Sequence, residues 1–321
     1  MIGAPRIEEA TPADLAALGA IRRQMGWSRS EDLLDAIVRW SGGRIFVIRE
    51  GELAAISGEV AHRPAVATVA TASPPVGVIG SVMVRPEFQR GGLGRAIMEH
   101  AISWLERQGA RHIFLDATPA GRPLYRRLGF VDVTSSWYTR APLASLDSDA
   151  LGRVAACGNV ARVVGASADA LPRLAALDRI AYGGDRLGLI DALARQDGHE
   201  LLIAETATGE PLGFLMLRPS EPPLGGVRLG PLVAHNDATA AALMVHALAK
   251  ESDARAGALI ASINGDNPRA LALFNKVGAT PIEDDLIMRL EAPKLSATTD
   301  GPGEDSGKRA SVYCWLAPMV F

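Results

Sequence analysis

Residues 88–96, FQRGGLGRA, set three glycines, Gly91, Gly92 and Gly94, between an apolar run and a stretch with helical periodicity. Glycines at a helix entrance leave backbone N–H groups uncovered, and uncovered amides at the positive end of a helix dipole hold anions, phosphates above all. Two phosphate-binding patterns fail here. A Walker loop needs G-x-x-x-x-G-K-[ST], and no lysine precedes Lys250. The dinucleotide pattern G-x-G-x-x-G, begun at Gly92, ends on Ile97, a bulky residue where close helix packing requires glycine. What remains is the spacing Gln89-x-x-Gly92-x-Gly94 directly after a strand that stops at Arg85-Pro86.

The rest of the chain limits what that loop can serve. Its 321 residues suggest two domains, each large enough for its own core. Formal charge is −3 with no strongly basic half, so nothing draws in nucleic acid. Cys157 and Cys314 stand alone, without C-x-x-C spacing or a histidine-rich neighbourhood, which argues against a zinc site or a disulfide framework and fits a reducing cytoplasm. No basic segment with an apolar core opens the chain, and no window has the roughly 18 uncharged apolar residues of a membrane span, so a cytoplasmic protein without membrane attachment is expected.

The glycine loop is positioned by a readable set of elements. Thr11-Pro12 starts a helix with Leu15, Leu18 and Ile21 on one face, and SEDLLDAIVRW gives a second helix capped by Ser30. RIFVIREGELAAISGEVA reads as two strands meeting at Glu50-Gly51, and residues 63–76 as a loop or a weak strand pair. VGVIGSVMV, residues 76–84, is a nearly unbroken apolar run, the pattern of a strand buried on both faces. After the glycines, Leu93, Ile97, Ala101 and Leu105 form one stripe of a helix closed by Gly109. RHIFLDA is a strand, GRPLYRRLG a short helix ended by Gly129, and FVDVTSSWYTRA a final strand or pair of strands. Residues 143–158 lack strong periodicity and mark a domain junction.

Beyond that junction the order of elements begins again. AIMEHAI at 96–102 has a counterpart in ALMVHAL at 242–248, and PLYRRLG at 123–129 in ALFNKVG at 272–278. Such self-similarity implies two copies of one fold. Gly80 aligns with Gly230 and Met98 with Met244, so the second copy has lost four residues, and the loss falls on the glycine loop. AHNDATAA stands there instead, and Phe274 takes the place of Tyr125. The expected domains are residues 1–145, a degenerate copy at 159–292, and a linker with a C-terminal strand at 293–321.

With VIGSVMVRPEFQRGGLGRAIMEHAI before it and LYRRLGF about thirty residues later, the loop resembles that of the Gcn5-related N-acetyltransferase (GNAT) family, whose signature is [R/Q]-x-x-G-x-[G/A]. The resemblance covers residues 5–141 well and the second copy more faintly, and is similar to a tandem two-domain bacterial branch. It implies an α/β fold of two tandem domains, each a mixed, mostly antiparallel twisted sheet flanked by helices, with acetyl-CoA as co-substrate. The diphosphate would lie on the amides of Arg90, Gly91, Gly92, Leu93, Gly94 and Arg95, with Gln89 of the motif among the cofactor-binding residues. The strand before the loop would splay from its neighbour, freeing the backbone of Val82, Met83 and Val84 to pair with the pantetheine amides as a strand would.

Acetyl transfer to an amine needs a neutral amine, a polarised carbonyl and a proton for the departing thiolate, and requires no metal. The resemblance assigns the proton donor to Tyr125. The buried strand 76–84 holds no acid, so the base falls to another group: Asp116, at the end of its strand, leads Glu59, His62 and Asp32, for each of which a cap or surface role competes. Trp27 lies where the family builds one wall of the acceptor pocket. Asp178, Arg179, Asp185 and Arg186 near helix ends read as caps and surface ion pairs, with a lining for a polar acceptor as the alternative. The expected function is acetyl transfer to a primary amine of a small acceptor by a monomer or homodimer, with an acyl-CoA-binding sensor or a complex-forming protein as the alternative.

Overall fold

The structure, a computed structural model, describes residues 5–24, 31–49, 65–73, 76–182, 186–220, 225–251, 257–291 and 311–314. They divide into two compact units: unit 1 holds residues up to Asp132 with Gly188–Leu193 and Met288–Ala292, and unit 2 holds Val133–Leu187, Ala194–Ile287 and the C-terminal segment. The expected boundary at residue 145 therefore lies inside unit 2.

Unit 1 begins with β1 (Ile7–Glu9), α1 (Leu15–Gln24), α2 (Glu31–Arg39), β2 (Gly43–Ile48), β3 (Ala65–Ser73) and β4 (Val76–Val84). It continues with α3 (Leu93–Arg107), β5 (His112–Ala117) and α4 (Arg122–Arg127). A 3-10 turn over Pro12–Asp14 precedes α1, where the Asp14 carboxylate accepts the Thr11 N–H at 2.8 Å. The sheet order is β1-β2-β3-β4-β5. Every pair is antiparallel except β4 with β5, which is parallel because α3 crosses over between them. The stripe expected on α3 is the one that packs: Ile97, Ala101 and Leu105 are fully buried against a core that includes Leu18, Ile37, Phe46, Ile79 and Ile113. Ile97 and Leu105 each contribute about 1.5–3 kcal/mol.

In unit 2 come β6 (Val131–Pro142), α5 (Ser148–Ala155), β7 (Arg162–Ala166), α6 (Leu171–Tyr182), α7 (Leu187–Ala194), β8 (Glu200–Glu205) and β9 (Pro211–Pro219). They are followed by β10 (Gly226–Ala234), α8 (Asp237–Glu251), β11 (Ala258–Asn264), α9 (Pro268–Lys276), β12 (Pro281–Glu291) and β13 (Ser311–Cys314). Most of β6 belongs to this unit, where it pairs antiparallel with β11 from Ser136/Asn264 to Pro142/Ala258. The strand order beside it is β6-β11-β10-β9-β8-β7, with β13 on β10. The segment 143–158, expected as an irregular junction, contains α5, whose first turn is capped by Asp147 accepting the Ala150 N–H at 2.8 Å and whose Leu151 is fully buried. Residues Gly188–Leu193 of α7 count with unit 1, where a Cβ on Gly188 would lie 2.6 Å from the Trp40 indole nitrogen.

Candidate active site

Two irregularities in unit 1 prepare the site. The first is a bulge in β4. Val66 pairs with Met83 and Thr68 with Gly80, so Ser81 and Val82 together oppose Ala67. Ser81 takes a φ of 49°, the left-handed region, and its hydroxyl oxygen accepts a 2.7 Å hydrogen bond from the buried Arg22 guanidinium of α1. The extra residue bends the strand. The second irregularity follows from that bend: β4 and β5 pair only from Val76/His112 to Ile79/Leu115. Beyond that point Val82, Met83 and Val84 are held by β3 on one side, and their other edge has left β5.

The glycine loop lies at the end of this opening. The Gln89 side-chain amide donates to the Val84 carbonyl at 3.0 Å, tying the loop to the strand end, and Gly92 is the N-cap of α3 with φ 84°. The helix ladder begins with the Ala96 N–H to the Gly92 carbonyl at 3.0 Å. Gly92 provides no side-chain cap, and no acidic residue stands in the first turn. The N–H groups of Gly91 to Arg95 donate to no protein acceptor among the described residues, so the positive end of a 15-residue helix is left to an outside anion. A Cβ on Gly94 would point between α4 and the end of β4, 3.4 Å from Leu124 Cδ2 and 3.5 Å from Val84 Cγ2. Strand end, helix start and α4 thus converge on Gly94. Arg90, at φ 66°, is exposed, and Arg95 pairs with Glu99 at 2.7 Å on the surface of α3.

On α4, Tyr125 is 7% exposed and its ring lies 6.1 Å from that of Phe130. Burial, and secondarily the Asp116 carboxylate, push its phenol up to about 12, so the hydroxyl keeps its proton across the whole physiological range. Asp116, next to last in β5, is therefore close enough to act on the phenol electrostatically. Trp27, Ser30, Glu59, His62 and Asp185 lie outside the described residues.

The second copy repeats the frame but fills the openings. In β10 the register shifts between Leu229 and Leu232, leaving Gly230 and Pro231 opposite Met216 alone, the counterpart of the β4 bulge. The edge that follows is covered, because β13 pairs with it through Leu232/Cys314, Val233/Val312 and Ala234/Ser311. The start of α8 is capped internally: Asn236 Oδ1 accepts from the Thr239 N–H at 2.9 Å, and Asp237 in the first turn pairs with Arg269 at 2.9 Å. Asp178 and Arg186, expected at the surface, are each 1% exposed and ion-paired at 2.9 Å, with the Arg186 guanidinium 4.1 Å from the centre of the Tyr182 ring.

Sequence reasoning missed two residues of unit 1. Arg22, given no role from sequence, is buried at the bulge, and Gly121, read only as the start of a short helix, abuts the Tyr125 ring. Neither carries a local signal, since both contacts depend on an element distant in sequence or on a ring one helical turn ahead.

Comparisons with known proteins bear on the family of the chain. Residues 16–130 match the model of the Acetyltransferase (GNAT) family and residues 174–300 that of an Acetyltransferase (GNAT) domain. Among curated proteins, the aminoglycoside N(6')-acetyltransferase type 1 of Stenotrophomonas maltophilia is 30% identical over 148 residues, 44% of this chain and 95% of that enzyme. The ribosomal protein bS18-alanine N-acetyltransferase of Escherichia coli K12 is 40% identical over 57 residues, 17% of this chain and 38% of that enzyme. Two solved structures share the fold along nearly the whole chain. A candidate acetyltransferase from Pyrococcus horikoshii is 19% identical with a TM-score of 0.71, covering 100% of this chain and 97% of that one. A tandem GNAT protein from the clavulanic acid biosynthesis pathway is 15% identical with a TM-score of 0.59, covering 92% and 99%. The chain belongs to the GNAT family as a tandem two-domain acyltransferase of the N-acetyltransferase type.

Proposed function

We propose that the chain moves the acetyl group of acetyl-CoA to a primary amine of a small acceptor, and that unit 1 alone binds the co-substrate and does the chemistry. The observation that carries this reading is the contrast between the copies: among the described residues nothing pairs with the strand edge or caps the helix start of unit 1, whereas the equivalents in unit 2 are occupied by β13 and Asn236. The backbone of Val82, Met83 and Val84 extends alongside the pantetheine arm, and the amides of Arg90, Gly91, Gly92, Leu93, Gly94 and Arg95 bind the diphosphate, while Gln89 ties the loop to the strand end. Charge-assisted bonds of this kind are worth about 1.5–3 kcal/mol each.

Acetyl-CoA supplies an activated thioester. As the amine nitrogen forms its bond to the carbonyl carbon and the carbon–sulfur bond breaks, Tyr125 gives its phenolic proton to the sulfur and Asp116 takes the proton released by the amine. A phenol held at about 12 is protonated in essentially every molecule at neutral pH, as a general acid must be. Burial does most to raise it and the Asp116 charge adds to this, which supports pairing one group that gives a proton with another that receives one. Trp27 is assigned to the acceptor pocket.

A small acceptor is favoured by the extent of the match to the aminoglycoside enzyme, which spans nearly all of that protein, over the short match to the enzyme acting on a ribosomal protein. The test is release of free CoA thiol from acetyl-CoA in the presence of aminoglycosides, polyamines, amino acids and a bS18 N-terminal peptide. Turnover with a small amine and none with the peptide is expected. Turnover with the peptide alone would overturn the acceptor class, and tight acetyl-CoA binding without thiol release across the panel would overturn catalysis.

A further inference from the structure

We infer that Gly121 is a positioning residue for Tyr125: the absence of a side chain there is what lets the phenol lie where it does. The inference rests on the reading of Tyr125 as proton donor. Gly121 is the N-cap of α4, with φ −81° and ψ −31°, a right-handed conformation open to any residue, so the backbone does not require glycine. N-cap positions favour Ser, Thr, Asp or Asn, and Gly121 forgoes that side-chain cap. Its N–H donates to the Thr118 carbonyl at 3.0 Å and its own carbonyl accepts from the Tyr125 N–H at 3.2 Å, bonds that any non-proline residue could make.

What excludes a side chain is the ring. A Cβ on Gly121 would lie 2.6 Å from Tyr125 Cε2, 3.0 Å from Cζ and 3.1 Å from the hydroxyl oxygen. Carbon atoms in contact settle at about 3.5–4.0 Å, so an added methyl displaces the ring by roughly 1 Å. Those three atoms are the reactive end of the side chain. The backbone at 121 is unstrained, and Phe130 flanks the ring at 6.1 Å, so the displacement is taken up by the phenol rather than by the fold. Glycine here sacrifices a helix cap to place a hydroxyl.

The test compares Gly121→Ala, Tyr125→Phe and the double variant. In Gly121→Ala, kcat falls by about 100-fold, the usual effect of a 1 Å misplacement, while the KM for acetyl-CoA is unchanged. In the Tyr125→Phe background the same substitution adds no further loss. A readout independent of turnover is the phenolate absorbance titration, taken as the difference from the matching Tyr125→Phe protein because the buried Tyr182 is also raised to about 12: the Tyr125 transition moves towards the ordinary tyrosine value as the ring is displaced. An unchanged kcat together with an unchanged titration in Gly121→Ala overturns the inference, as does an additive loss in the double variant. If Tyr125→Phe keeps full turnover, the proton-donor reading fails instead, and the titration alone decides whether Gly121 places the ring. Should Gly121→Ala fail to fold, Gly121→Ala/Phe130→Leu, which gives the ring room on its other flank, must show the titration shift or the inference is wrong.

Discussion

Replacing Gly94 by alanine separates what the fold needs from what the co-substrate needs. Gly94 is the second residue of α3, outside the positive-φ positions of the chain, and an added Cβ would meet Leu124 and Val84 at 3.4 and 3.5 Å, ordinary van der Waals distances. For the protein by itself the change is favourable: alanine in a helix is better than glycine by about 0.5–1 kcal/mol, so the unfolding midpoint is expected to stay level or rise by up to about 3 °C. For the diphosphate it is not. The methyl group enters the gap between the helix start, Val84 and Leu124, where close approach to the amides is required. Losing one charge-assisted backbone bond costs about 1.5–3 kcal/mol, which is roughly 10- to 150-fold in Kd for acetyl-CoA. Isothermal titration with a parallel thermal melt measures both. A variant that is more stable and binds less tightly supports the assignment of the amides. Unchanged affinity would refute it, because Gly94 would then have neither a folding nor a binding role. Gly92→Ala is the weaker experiment, since φ 84° makes that substitution costly for the fold itself.

The remaining predictions follow from titratable groups. Tyr125→Phe is expected to lower kcat by 10²–10⁴-fold with acetyl-CoA affinity kept, and the wild-type enzyme should show no alkaline loss of kcat from this group below about pH 11; an alkaline limb near pH 8 that disappears in the variant would contradict the raised phenol. Because the folded value lies above the ordinary value of 10, Tyr125 contributes stability that is complete below pH 10 and is lost as pH rises through about 12, on the order of 3 kcal/mol by linkage; urea unfolding at pH 8 and pH 11 should differ less in Tyr125→Phe. In unit 2, hydrogen bonds from Arg173 and then Arg162 hold the nearly buried Glu205 carboxylate below its ordinary range, with closest contacts of 2.9 and 2.7 Å. Its stabilisation is present above the ordinary glutamate value and lost as pH falls through the lowered one, so Glu205→Gln should cost about 1 kcal/mol at pH 7 and less at acid pH. Equal losses at both pH values would mean that packing rather than charge is responsible.

Much of the fold is legible because the signals are local. The spacing of Ile97, Ala101 and Leu105 has one solution, a helix with that face inward, and all three are fully buried. Gly109 and Gly129 end their helices at φ 90° and 92°, as left-handed closing positions do. The repeat was readable for the same reason, down to the shortened loop before α8. What escaped depends on distant partners. No pattern within FVDVTSSWYTRA tells which sheet the strand joins, and its pairing with β11 moves most of it into unit 2. Arg186 looks like a surface charge until Asp178 is placed eight residues before it on a buried face. SVYC reads as a strand, but only the coordinates show that it covers the very edge of β10 that corresponds to the open edge of β4. The base and the acceptor wall were the least legible parts of the site. Asp116 contributes to the raised phenol of Tyr125 through its charge, whereas Trp27 falls outside the described residues.

The most direct test of a single working site is calorimetric titration of the full chain with acetyl-CoA, alongside Gly91→Glu, at a position outside the positive-φ glycines where an added Cβ meets only the Phe88 carbonyl at 3.6 Å, and Asn236→Ala. One equivalent per chain is predicted, abolished by Gly91→Glu and unaffected by Asn236→Ala. Two equivalents, or one that survives the glutamate at position 91, would contradict the assignment of the co-substrate to unit 1.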